Sequence, residues 1–73
     1  MTELTPDDIA NLRLLGYSVS NKEGQTFVEN DKYIIEEDFG TWFLYEIKGD
    51  SYVFLDAFMT VYNAIDYIKD VLE

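Results

Sequence analysis

Glu36, Glu37 and Asp38 are the densest run of groups in this sequence that could do chemistry. Paired carboxyl groups can act as general acid and base when their surroundings push their pKa values apart. They can also hold Mg²⁺ or Ca²⁺ through oxygen ligands. Both chemistries need the carboxylates to converge. The run sits in a strand-like segment, where successive side chains point to opposite faces, so Glu36 and Glu37 cannot line one pocket together. No EF-hand pattern surrounds them.

The remaining catalytic repertoire is missing. The 73 residues contain no His and no Cys. That excludes an imidazole base, a thiol nucleophile and a conventional zinc site. The four glycines stand alone at 16, 24, 40 and 49 and build no phosphate loop. The five basic residues are scattered and form no phosphate-binding patch. The expectation is a non-enzyme with no cofactor and no metal.

What the sequence has in excess is negative charge. Fifteen Asp and Glu oppose five Lys and Arg, for a formal net charge of −10. This exceeds the roughly 2–8 units usual for a small domain. It repels nucleic acid and anionic membranes, and no segment approaches the roughly 20 apolar residues of a bilayer span. The stretch from Glu29 to Asp38 concentrates the effect: Glu29, Asp31, Glu36, Glu37 and Asp38 face Lys32 alone. Asp66, Asp70 and Glu73 follow helical i, i+4, i+7 spacing, which puts them in a second acidic row with Tyr62 nearby. Neighbours in such a row lie roughly 5–6 Å apart along the axis, the order of the phosphate spacing on an extended strand. These residues form a candidate surface for a basic protein or ribonucleoprotein partner. The plain alternatives are a solvated hairpin edge and an ordinary polar helix face.

The chain is not a disordered acidic tail. Hydrophobic residues make up 48% of it, with six Tyr, five Phe and one Trp, enough apolar surface to fold. Stacking of bases on these rings would need positive charge beside them, so direct nucleic-acid binding is rejected. Tyr instead suits a protein interface.

The elements that position these groups can be read along the chain. Thr5 is an N-cap, Pro6 opens a helix over 6–15, Asp7 and Asp8 favour its positive end, and Gly16 terminates it. Ile9, Leu12 and Leu15 form its apolar stripe. Tyr17–Ser20, Gln25–Glu29, Lys32–Glu37, Thr41–Ile47 and Ser51–Leu55 read as strands. The breaks fall at Asn21–Gly24, Asn30-Asp31, Asp38–Gly40 and Gly49-Asp50. Asp56 is the expected N-cap of a closing helix whose apolar face is Phe58, Val61, Ile65, Ile68 and Leu72. The fold class is α+β: a short N-terminal helix, an antiparallel sheet of about four to five strands built from two hairpins, and a C-terminal amphipathic helix packed on the sheet. One compact acidic domain spans 1–73. The stretch Met1–Asp8 is too acidic and polar for a signal peptide, so a cytoplasmic location is expected.

With Gly49-Asp50 as the turn, Ile47 faces Tyr52 and Tyr45 faces Phe54, with Phe43 on the same side. Trp42, Leu44, Val53 and Leu55 share the other side with Glu46. Both faces of this hairpin are apolar, whereas a sheet with one wet face alternates. Either the helices cover opposite faces, or one face meets a partner. Phe43, Tyr45, Tyr52 and Phe54 are therefore candidates for self-association, with a homodimer as one outcome.

In size, acidity, α+β organisation and lack of catalytic residues, the chain resembles the small acidic inhibitors of bacteriophages, anti-CRISPR proteins that mimic DNA among them. The resemblance covers the whole chain as a matter of kind and rests on no shared motif. It implies a stoichiometric inhibitor acting in the cytoplasm of a bacterial host, on a basic nucleic-acid-handling surface such as a CRISPR effector. The alternative is a small acidic self-associating scaffold using the apolar hairpin face.

Overall fold

A computed structural model describes residues 4–73; the first three residues of the stretch Met1–Asp8 lie outside it. The chain runs α1 (Pro6–Leu14), β1 (Ser18–Lys22), β2 (Gln25–Glu29), β3 (Tyr33–Asp38), β4 (Thr41–Lys48), β5 (Ser51–Phe58) and α2 (Val61–Tyr67), closed by a π-helical turn, Ile68–Leu72. The strands form one antiparallel meander in the order β1-β2-β3-β4-β5. The α+β class read from the sequence is the fold observed.

α1 is held at both ends by its own residues. The Thr5 N–H donates to Asp8 Oδ2 at 3.0 Å and the Asp8 N–H donates to Thr5 Oγ1 at 3.1 Å, a reciprocal capping box. At the other end the Gly16 N–H reaches the Arg13 carbonyl and the Tyr17 N–H the Leu12 carbonyl, both at 3.0 Å. This pairing needs a left-handed residue after the cap, and Gly16 supplies it at φ +97°. The chain thereby turns Tyr17 back into the core beside Leu12. Leu12 is the one stripe residue fully buried; Leu15 is largely exposed.

Cross-strand register sorts the side chains into two faces. On the inner face Val19, Val28, Ile35 and Leu44 form one row across the sheet, and Glu37, Trp42 and Phe58 form another. Leu12 of α1 and Val61, Ala64, Ile65 and Ile68 of the closing helix join Val28, Ile35, Trp42 and Leu44 in a single core. Both helices therefore lie on the same face. A hydrogen bond ties them together: the Tyr62 hydroxyl donates to Asp8 Oδ1 at 2.7 Å.

Three boundaries depart most from the sequence reading. Asn21 and Lys22 belong to β1, and the first turn shrinks to Glu23-Gly24, both left-handed at φ +54° and +84°, the pattern of a type I′ hairpin. The next turn centres on Asp31-Lys32 rather than Asn30-Asp31. The Asn30 side-chain oxygen accepts from the Lys32 and Tyr33 N–H groups at 2.9 and 2.8 Å, which keeps Asn30 in line with its strand. Asp56 is not a helix cap. Strand pairing with β4 carries β5 on to Phe58, through a bulge opposite Leu44, and Thr60 caps α2 by accepting from the Asn63 N–H at 3.1 Å. The pairing Ile47–Tyr52 and Tyr45–Phe54 is as read from the sequence.

Trp42 is the largest fully buried side chain, and its indole N–H has no acceptor among the described residues. Its contribution is therefore volume. Trp42→Ala is expected to cost about 3–5 kcal/mol, comparable with the whole stability of roughly 4–11 kcal/mol for a chain of this length. Chemical denaturation should find Trp42→Ala largely unfolded and Trp42→Phe much less affected, since no hydrogen bond is lost.

The Asp8 carboxyl is held below its ordinary 3.8, first by the Thr5 backbone N–H and then by the Tyr62 and Thr5 hydroxyls. A lowered acid stabilises the fold above the unfolded pKa and ceases to do so as pH falls through the folded one. The Tyr62 hydroxyl is raised above 10.0, mainly by its bond to Asp8, and Tyr17 and Tyr33 are raised above 10.0, mainly by burial. Their contribution is present below pH 10 and is lost as pH climbs through the raised values. Thermal melts across pH should show an acid limb that Asp8→Asn flattens and an alkaline limb that tracks phenolate absorbance.

Candidate functional interface

With both helices on the inner face, the other side of the sheet is left uncovered. Two rows cross it. Ser20, Phe27, Glu36, Phe43 and Ala57 make the first; Ser18, Glu29, Ile34, Tyr45 and Phe54 make the second. Ile47 and Tyr52 complete the hairpin end. Phe54 stacks edge-on against Tyr45 with ring centroids 5.7 Å apart and lies 6.3 Å from Phe43. Tyr52 and Phe54 remain 64% and 54% exposed. Nothing in the described chain covers these rings.

Glu36 stands in the middle of this surface, between Phe27 and Phe43 in its row. It is half-buried, and its Oε2 accepts from the Gln25 side-chain amide at 3.2 Å. A shallow concavity of about 460 Å³ runs over Phe27, Ile34, Tyr45 and Tyr52, with Glu29 and Glu36 in its wall and Lys22 at one end. Asp38 closes β3 on the same face, paired with Thr41. The one ion pair among the described residues joins Lys48 to Glu46 at 3.9 Å. Glu29, Glu36 and Asp38 thus form no ion pair among the described residues.

The other candidate residues are dispersed. Asp31 sits at the tip of the β2–β3 turn. Glu37 departs from the expected ridge: it points to the inner face, is 5% exposed, and its Oε2 accepts from the Gly40 N–H at 2.8 Å. That bond braces a turn in which Phe39 takes a left-handed φ of +51°, a conformation bulky residues avoid. Glu37 is thus a turn-locking group, and strand alternation is the reason. Tyr62 spends its hydroxyl on Asp8. Asp66 and Asp70 are exposed on the closing helix, which packs against the opposite side of the sheet from Glu36. The row does not run on to Glu73 in α-helical register. The last turn is π-helical, with the Glu73 N–H bonded to the Ile68 carbonyl at 3.0 Å, and the Glu73 charge helps raise the Tyr17 and Tyr33 hydroxyls.

The sequence reading omitted Phe27, Ile34 and Gln25 from the surface. Their signal was the alternation within β2 and β3, which becomes visible once the register pairs Phe27 with Glu36. Among the described residues no group of His, Cys, Asp and Glu could hold a metal ion, and no helix is long and apolar enough to cross a membrane. The arrangement can recognise a cation: a carboxylate flanked by aromatic faces offers Lys or Arg both an ion pair and a ring quadrupole.

No solved structure matches the chain. It is similar to an "Uncharacterized 9.8 kDa protein in Gp55-nrdG intergenic region" of Enterobacteria phage T4, 39% identical over 51 residues. The match covers 68% of this chain and 59% of the relative, so the chain spans less than two thirds of the phage protein's length. A family model, described as "Family of unknown function (DUF5495)", matches residues 4–71. The chain thus belongs to the Family of unknown function (DUF5495) and is a relative of a small phage-encoded protein.

Proposed function

We propose that this chain is a non-catalytic, stoichiometric inhibitor. It binds a basic, nucleic-acid-handling surface of a host protein or ribonucleoprotein complex, of which a CRISPR effector is one example, in the cytoplasm of a bacterial host. It blocks access by standing where nucleic acid would. The observation that carries this reading is Glu36, a half-buried carboxylate without a cation partner, set in an uncovered aromatic sheet face. Charge supplies encounter rate and orientation. Phe43, Tyr45, Tyr52 and Phe54 supply the apolar area that holds the complex once formed. Relationship to a phage protein supports the setting.

On this reading the acidic surface is narrower than the five clustered carboxylates. Glu29, Glu36 and Asp38 act together, with Asp31 at their margin, while Asp66 and Asp70 lie on another side and form at most a separate patch. Glu37 takes no part. A second reading has a specific observation behind it: the same exposed rings suit packing against a second copy. The net charge of −10 opposes that, since two copies double it.

Immobilised protein should capture its target from host lysate at low salt and release it in a salt gradient. With the captured target in hand, Glu29→Lys, Glu36→Lys and Asp38→Lys together should slow association about tenfold at low salt. Capture indifferent to both salt and these reversals would rule the reading out. Light scattering should report a monomer at micromolar concentration; a dimer that survives dilution and that Phe43→Asp or Phe54→Asp breaks apart would favour the second copy.

A further inference from the structure

The meander ends on two strand edges of different character. β1 is short and polar and ends in Lys22, the kind of composition that discourages strand addition. β5 is eight residues long, contains no Lys and no Pro, and presents Tyr52, Val53 and Phe54 in succession, each more than two-fifths exposed.

The turn decides which backbone groups this edge offers. Gly49 takes φ +59° at the first turn position, as a type II′ hairpin requires. Lys48 and Ser51 flank that two-residue turn, which is the place of the closing hydrogen-bonded pair in such a hairpin. In an antiparallel ladder such pairs alternate with non-hydrogen-bonded ones. Ile47–Tyr52 and Tyr45–Phe54 are therefore of the second kind. The N–H and C=O groups of Tyr52 and Phe54 point away from β4, into the open edge. The bulge opposite Leu44 ends the regular edge just past Phe54. Two carboxylates bracket it, Asp50 before and Asp56 after, both exposed and neither ion-paired among the described residues.

That pattern chooses between occupants. A second copy using these groups must set Tyr52 against Phe54 of the other copy, centred on Val53. This register brings the Asp50 end of each copy's edge against the Asp56 end of the other's, a doubled approach of like charges that opposes pairing. An extended segment with an apolar centre and a basic residue at each end makes the same hydrogen bonds and neutralises both carboxylates. We infer that the β5 edge takes up such a segment from the basic partner as a sixth strand. The inference rests on the proposed function and adds the mode of attachment.

The probe is a synthetic peptide, Lys-Arg-Val-Thr-Val-Thr-Val-Lys-Arg, added at millimolar concentration to the isotope-labelled chain. Amide exchange at Tyr52 and Phe54 should slow about tenfold, and a version with Glu at all four basic positions should leave both unchanged. Phe54→Pro removes an outward N–H and spares the β4 ladder, so it should abolish the effect, whereas Phe54→Val should keep it. Exchange at Tyr52 and Phe54 unaltered by the peptide overturns the inference. So does protection that grows with protein concentration alone, which marks a second copy. With the captured target, binding lost in Glu36→Lys but weakened no more by Phe54→Pro than by Phe54→Val sinks the edge and spares the proposed function. Binding indifferent to Glu36→Lys and to salt sinks the function itself.

Discussion

Two short helices can cover one face of a five-stranded sheet and no more. The rest of this molecule depends on that constraint. A fully buried Leu, Ile or Val contributes about 1.5–3 kcal/mol relative to an exposed one, and a chain this small buries only about 60% of its unfolded surface. Concentrating Leu12, Ile65 and Ile68 over Val28, Ile35, Trp42 and Leu44 makes one dry core. Dividing the helices between two faces would have made two half-wet ones. The cost of that concentration is an uncovered second face whose side chains are also apolar.

The acidity takes on a different meaning once the faces are separated. Five carboxylates between Glu29 and Asp38 look like one ridge when written as a line. Strand alternation and the β2–β3 turn break it up. Glu37 goes inward and locks a strained turn, Asp31 goes to a tip, and Glu29, Glu36 and Asp38 stay on the aromatic face. A carboxylate among rings is a more discriminating feature than a row of charges on a wet helix. Its field is less screened, and apolar area surrounds it. The extended acidic row expected on the closing helix is interrupted by its π-helical last turn, so the nucleic-acid-like spacing has little structural support there.

Local signals were reliable where the physics is local. The Thr5 cap, the Gly16 stop, the Gly49-Asp50 hairpin and the pairing of Tyr45 with Phe54 were all legible, because each depends on residues a few positions apart. Asp56 misled because a good capping residue lies idle when a long neighbour keeps a strand paired past it, as β4 does through Trp42 and Phe58. Asn30 misled because its side chain took over a backbone role. Phe27 and Ile34 were missed because their place on the surface depends on the register of β2 against β3.

By itself the sequence determined the α+β class, the caps of the first helix, the presence of a closing helix, the double-sided apolar hairpin and the lack of imidazole and thiol chemistry. These follow from residue type, period and short-range stereochemistry. Which face the helices share was decided only by tertiary packing. A two-sided apolar strand pair carries no local information about where distant helices will settle; that is a competition among long-range burial terms. The same competition singled out Glu36 from its neighbours and left the Tyr52–Phe54 edge open, because exposure is a property of what fails to pack, not of the residue that stays bare.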